Sequence, residues 1–482
     1  MVIGMVHENC GVFGAFSIDG YNVTPLVIDC LRALQHRGQE AWGIAVPEKP
    51  PFKRLGLVSA SAAEFKSISK KFRSHIAIGH VRYSTFGKST LSNAQPIKVK
   101  DLCIAHNGTI ANVEELSGMV GGCTFTPHTM SDTLIAAQRL IMHLDNNHSM
   151  RDSISILRGE MIGSFCFMFL TDNGSVYAAR DPKGFRPLVL GIHDESNTYM
   201  IASESCAFSA IGAKLVRDVQ PGEIIKLDKA GIKSEVFAQE PHSHCAFEFT
   251  YFAHPTSVME GVNVYAARKR IGQLLAKKFP IVDADLVIPV PDSARPAALG
   301  YSEASGLPFE EGLLKNRYSK KGSMRSFIEP YGETRVEINK GIIPIKEVIQ
   351  NKKVVVIDDS IVRGTSSQSI VRMLRAAGAK KISMIVTYPP IRYPCYAGID
   401  FPSQEELIAF QQTKNETATE KISQSISKII GADSTAYNDN STLAEAIGIP
   451  EDELCFTCST GDYTSLGIKP IFKTRKQMKG EE

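Results

Sequence analysis

Short apolar stretches broken by glycine and proline turns run from Cys10 to about residue 240. VYAAR (176–180), YMIAS (199–203) and EIIKL (223–227) have the length and composition of strands. Leu134 to His143 reads as a helix opened by the Ser131-Asp132 cap signal. AQEPHSHCAFEF (238–249) reads as a crossing between domains, and beyond it the pattern changes. LVIPV (286–290), VVVID (354–358) and ISMIVTY (382–388) are unbroken apolar runs, as expected of parallel strands covered on both faces. Helical segments alternate with them. From Ser367 to Ala377, Ile370, Met373, Leu374 and Ala377 share one face, and Gly378 ends the run. That alternation predicts an open α/β sheet in the second half. No internal repeat is present.

Composition narrows the class without changing the plan. A length of 482 residues suggests two or three domains, and 43% apolar with 22% charged residues is ordinary for a globular protein. A formal charge of +3 gives no reason to expect nucleic acid or membrane as a partner. No apolar run reaches the roughly 18 residues of a membrane span. The opening MVIGMVHEN is not a secretory signal, so a cytoplasmic location is expected. Ten cysteines are too few for a disulfide scaffold, and most of those in the first half sit in apolar or small-residue surroundings as core thiols. KTRKQMKGEE (473–482) closes the chain as a solvated basic tail.

The most specific stretch is VVVIDDSIVRGTSSQSIVRMLRAAGA (354–379). A buried strand runs into two acids, a loop of small residues and a helix start. Backbone N–H groups of Ser360 to Ser367 and the helix N-terminus form a cradle for a phosphate. Asp358 and Asp359 sit at the strand's carboxyl end, where open α/β sheets bind ligands, and suit ribose hydroxyls or Mg²⁺. The Gly-Lys-Ser/Thr core of a Walker loop is absent. These residues resemble the type I phosphoribosyltransferases. The resemblance implies 5-phosphoribosyl 1-pyrophosphate (PRPP) as substrate, bound by Asp358, Asp359, Ser360, Arg363, Gly364, Thr365 and Ser366. It implies Mg²⁺ near Ser293, Asp358 and Asp359. PVPDSARPAALGY (289–301) resembles the pyrophosphate loop of that family. LLKNRYSKKGSMRSFIEP (313–330) resembles its lid, with Lys315, Arg317 and Arg325 set to neutralise pyrophosphate. The lid is longer and less basic over 318–341 than the family pattern.

HENCGVFG (7–14) sets a cysteine just before a strand, and LQHRGQEAWGIA, GHVRYSTFG, AHNGTI and MSDT follow it. Acyl transfer from an amide needs a nucleophile, a base, an oxyanion hole and substrate clamps. If residues 1–9 are removed, Cys10 gains an α-amino group with a reference pKa of about 7.7–8.0, able to take the thiol proton. Asn107 and Gly108 offer two donors for an oxyanion. Arg82 suits an α-carboxylate and Asp132 an α-ammonium. These stretches resemble the class II glutamine amidotransferase domain, an α+β N-terminal-nucleophile fold.

Cys245, Cys395, Cys455 and Cys458 form a late group whose thiolates suit either zinc or an iron–sulfur cluster. Taken together, the two halves resemble the glutamine phosphoribosylpyrophosphate amidotransferase family. HCAFEFTYFAHP, YPCYAGID and LCFTCSTGDYT match its iron–sulfur subgroup, which implies a [4Fe–4S] cluster on those four cysteines. The resemblance implies a propeptide (1–9), a glutaminase domain (10–240), an α/β transferase domain (241–470) and a tail (471–482). The implied reaction converts glutamine and PRPP into 5-phosphoribosylamine, glutamate and pyrophosphate, the first step of purine synthesis. Purine nucleotide inhibitors and a homo-oligomer, dimer or tetramer, are implied too. Two other readings fit the same residues: a divergent paralogue with a different acceptor, and a binding protein that senses PRPP or nucleotides.

Overall fold

The computed structural model describes residues 10–58, 61–83, 90–120, 131–315, 341–399, 401, 403–411 and 419–468. Residues 1–9, Cys123, Arg317, Arg325 with the rest of the lid to 340, and the basic tail lie outside the described residues.

Two antiparallel sheets form the front half. One has seven strands in the order Lys214–Asp218, Val189–His193, Thr198–Ala202, Gly11–Ser17, Ile76–Arg82, Ala41–Ala45 and Phe52–Leu55. The other has six, in the order Gly231–Val236, Glu223–Asp228, Ser175–Arg180, Gly163–Thr171, Leu102–Ile110 and Ile97–Val99. The sheets face each other, and helices cover both outer faces. Strand periodicity shows how this works. Val12 and Phe16 point between the sheets, whereas Phe13 and Ala15 pack on Val27, Ile28 and Leu31 of the helix Thr24–Ala33. In Gly163–Thr171, Cys166, Met168 and Leu170 line the space between the sheets, while Phe165, Phe167 and Phe169 meet Ile135, Leu140 and Leu157 from two helices. Both faces of the central strands are therefore apolar, although every pairing is antiparallel.

The back half is a parallel sheet in the order Leu286–Pro289, Lys353–Asp358, Lys381–Val386 and Ser434–Tyr437. Val355 and Ile357 face the helices Val264–Lys278 and Arg295–Ser305, and Val354 and Val356 face Thr365–Ala376 and Thr419–Ile430. The apolar runs of the sequence lie on these strands. The third ends at Val386 rather than residue 388, yet the N–H groups of Thr387 and Tyr388 still donate to Asp358 and Asp359 carbonyls. The helix expected from Ser367 starts two residues earlier, at Thr365. Ser131 caps the helix Asp132–Asp145, its Oγ accepting from the Leu134 N–H at 3.3 Å.

The crossing holds two features the sequence pattern did not suggest. His244–Cys245 pairs in parallel with Leu454–Cys455, and Glu248–Phe252 forms a wide π-helical turn. Among the described residues, no helix is long and apolar enough to cross a membrane.

Candidate functional site

Cys10 is 1% exposed and precedes the strand Gly11–Ser17. Gly11 lies opposite Val81, which sets Cys10 beside Arg82 at the end of the neighbouring strand. The Cys10 Sγ lies 3.9 Å from the Tyr83 carbonyl oxygen. Asn107 and Gly108 come from the facing sheet. His80 ties the two sheets at this level, its Nε2 lying 3.1 Å from the His106 carbonyl oxygen. Burial drives the His80 pKa down to about 3, so the ring is neutral. Asn107 is fully buried, and neither its amide nitrogen nor its amide oxygen has a protein partner. Gly108 has φ +153°, and a Cβ there would collide with the Ser164 carbonyl. Asp132 is buried at its helix N-terminus. Its Oδ2 accepts from the Ile110 N–H at 3.2 Å and lies 3.8 Å from His106 Nδ1.

Beneath Cys10 lies a buried charge network. Arg37 donates from Nε to the Cys10 carbonyl at 3.1 Å and from its terminal nitrogens to Glu204 and Glu248, the nearest Glu248 contact being 2.6 Å. Arg186 reaches the same Glu248 at 2.8 Å, and His36 reaches Glu204 at 2.7 Å. Burial would raise both carboxyls, but His36 and Arg37 hold Glu204 well below the usual range, and Arg37 and Arg186 lower Glu248. Glu248 belongs to the crossing, so this network fastens the nucleophile's backbone to the segment that starts the back half. LQHRGQE and ASESCAF carry Arg37 and Glu204 in plain view, yet their local spacing assigns them no role.

Asp358 ends the strand Lys353–Asp358 and Asp359 follows it directly, both buried. Burial raises both pKa values, and for Asp358 the neighbouring Asp359 charge adds to it. Asp359 accepts from Ser293 Oγ at 2.5 Å and Ser360 Oγ at 2.8 Å, which joins the pyrophosphate-type loop to the acids. Two crowded acids at a strand end offer hard oxygen donors whose mutual repulsion a divalent cation relieves. Gly364, with φ +79°, precedes the helix, and a Cβ there would strike Ile408. Thr365 and Ser366 open the first turn, whose N–H groups point into the loop. Arg363 is engaged with Glu406 at 2.6 Å, and Lys315 with Asp292 at 2.7 Å. Neither base contacts the acidic pair here. Sequence reasoning missed Tyr437, whose buried hydroxyl near Asp358 has no protein partner.

The four late cysteines are buried and free. Cys245 stands opposite Cys455 in the parallel pair. Burial raises all four thiols, and their mutual electrostatic influence shows that they converge. The Ala397 and Ile399 N–H groups donate to Cys395 Sγ at 3.3 and 3.4 Å, and Tyr388 Oη lies 3.2 Å from Cys458 Sγ. Four converging thiols are a donor set that either zinc or an iron–sulfur cluster takes. Ser164 Oγ donates to the Ala397 carbonyl at 2.9 Å, linking the thiol segment to the residue packed against Gly108.

A two-sheet N-terminal-nucleophile fold carrying an amidotransferase site, joined to a phosphoribosyltransferase sheet, defines a glutamine amidotransferase with its own phosphoribosyl acceptor half. Residues 80–210 match the model of a glutamine amidotransferase domain. The amidophosphoribosyltransferase of Methanocaldococcus jannaschii is 40% identical over 480 residues, covering 94% of this chain and 97% of its own. That of Mycobacterium tuberculosis is 40% identical over 471 residues, covering 95% and 86%. The solved glutamine PRPP amidotransferase from B. subtilis, complexed with ADP and GMP, superposes with a TM-score of 0.81 at 36% identity, covering 94% of this chain and 97% of that one. The chain belongs to the amidophosphoribosyltransferase family.

Proposed function

We propose that glutamine is split at Cys10 and that the ammonia released is captured by PRPP in the back half. The chain is an amidophosphoribosyltransferase, an enzyme of purine biosynthesis that moves the amide nitrogen of glutamine to PRPP. In our reading, processing ahead of Cys10 frees its α-amine, which takes the thiol proton. The sulfur then attacks the amide carbon, and the Asn107 side chain with the Gly108 N–H holds the resulting oxyanion. Ammonia departs, leaving a glutamyl thioester that water cleaves to glutamate. Arg82 binds the glutamine carboxylate and Asp132 its ammonium. In the back half the ammonia lone pair attacks C1 of PRPP while pyrophosphate leaves with the bonding electrons. The loop 360–366 holds the 5′-phosphate, the two acids bind the ribose hydroxyls, and Lys315 and Arg317 meet pyrophosphate.

Ser293, Asp358 and Asp359 would hold Mg²⁺, which supplies charge neutralisation of the pyrophosphate when bound. Cys245, Cys395, Cys455 and Cys458 would hold a [4Fe–4S] cluster, which supplies a covalent tie between the crossing and the C-terminal segment. The donor chemistry fits both. We assign residues 10–240 to the glutaminase and 241–470 to the transferase, in a cytoplasmic homo-oligomer. The B. subtilis relative's complex with ADP and GMP supports purine nucleotides as inhibitors.

The observation that carries this reading is Asn107, a buried side-chain amide with no protein partner, beside Gly108, whose positive φ leaves no room for a side chain against the Ser164 carbonyl. Cys10→Ala is expected to abolish glutamine-dependent product while sparing synthesis from ammonia. A variant that still consumed glutamine would remove Cys10 from its role. Intact mass and equal amounts of iron and sulfide, measured after anaerobic purification, check the processing and the cluster.

A further inference from the structure

We propose that His242, His244 and Glu453 form a second metal site, for a zinc-type divalent cation, on the outer side of the domain crossing. Residues two apart on an extended segment share a side, so His242 and His244 project together while Cys245 projects away from them. The short parallel pair of His244–Cys245 with Leu454–Cys455 then sets Glu453 next to the imidazoles. One ring nitrogen from each histidine and a Glu453 carboxylate oxygen lie mutually within 4.8 Å. The imidazole centroids are 5.3 Å apart, and His242 Nδ1 is 3.8 Å from Glu453 Oε2.

His244 is already oriented for such a role. It is 5% exposed, and its Nδ1 lies 2.9 Å from the Gly184 carbonyl oxygen. That carbonyl accepts a proton, so Nδ1 carries the hydrogen and the other ring nitrogen keeps its lone pair. Ligating histidines are held by the same kind of outer bond. Glu260, 3.6 Å from His244 Nδ1, adds negative charge behind the ring and is itself tied to Arg180. His242 and Glu453 are 42% and 47% exposed at their side chains, so a cation enters from water and water completes its shell. Both side chains are exposed enough to turn toward metal–ligand lengths of about 2.0–2.2 Å. Two imidazoles and one carboxylate are a zinc-type donor set, distinct from the thiols on the other face. A bound ion pins Glu453, and with it the strand bearing Cys455, to the crossing from the side opposite the cysteines.

The test titrates Zn²⁺ into anaerobically purified holoenzyme against a chromophoric zinc indicator, with Co²⁺ as a spectroscopic probe. Wild type is expected to take one Zn²⁺ per chain with its iron and sulfide content unchanged. His242→Ala and Glu453→Gln, both at exposed side chains, are expected to weaken that binding by at least the roughly ten- to hundredfold that loss of a supporting bond costs a metal site. Bound Co²⁺ should give weak visible bands with no thiolate charge-transfer band. Failure of wild type to compete with the indicator, equal affinity in either variant and wild type, or a thiolate band would each overturn the proposal.

Discussion

Truncating Asn107 separates a role in chemistry from a role in folding. Asn107→Ala deletes a side chain that is fully buried and whose two polar atoms have no protein partner. Losing one donor to a developing oxyanion costs about 2.7–4 kcal/mol, or roughly 10²–10³ in kcat. Stability answers to two opposed effects. A buried polar group left unpaired costs about 1–3 kcal/mol, which the alanine relieves. The missing amide leaves a void of about 40 Å³, costing about 1 kcal/mol at ~24 cal/mol per Å³. The sum runs from neutral to about 2 kcal/mol more stable. Glutamate release from glutamine in the presence of PRPP, product formation from ammonia, and the urea midpoint measure the three quantities. The expected result is a hundredfold or greater loss with glutamine, unchanged turnover with ammonia, and a midpoint at or above wild type. Glutamine turnover within about threefold of wild type would refute the oxyanion role. A parallel loss with ammonia, or a clear fall in the midpoint, would show that Asn107 is structural instead.

Glu248→Gln strips the shared partner from Arg37 and Arg186 and strands buried positive charge, so the urea midpoint is expected to fall by about 3–5 kcal/mol equivalent. Because Arg37 also holds the Cys10 carbonyl, glutamine turnover should fall further than turnover with ammonia, which paired kinetics check. His80 is depressed to about 3 from 6.5, so between those values the unfolded chain binds the extra proton and wild-type stability rises with pH. His80→Gln should remove up to about 1.4 kcal/mol of that dependence per pH unit, seen as a flatter plot of urea midpoint from pH 5 to 7.

The local physics of this chain was legible in its residues. Unbroken apolar runs announced the parallel strands, because a strand covered on both faces has no polar side to show. The acids at 358 and 359, the small-residue loop and the helix behind it were readable together because all lie within one turn of a strand–loop–helix unit. The same holds for Ser131, whose cap is closed three residues away. Only the folded chain decided what the long-range polar groups do. Arg37 and Glu248 are 211 positions apart, and Ser164 meets Ala397 across 233. Lys315 and Arg363, expected at pyrophosphate and phosphate, are engaged by Asp292 and Glu406, neighbours no motif specifies. A buried charge must take whatever opposite charge or carbonyl the packing of distant elements delivers, and that delivery is a property of the layers, not of the local sequence.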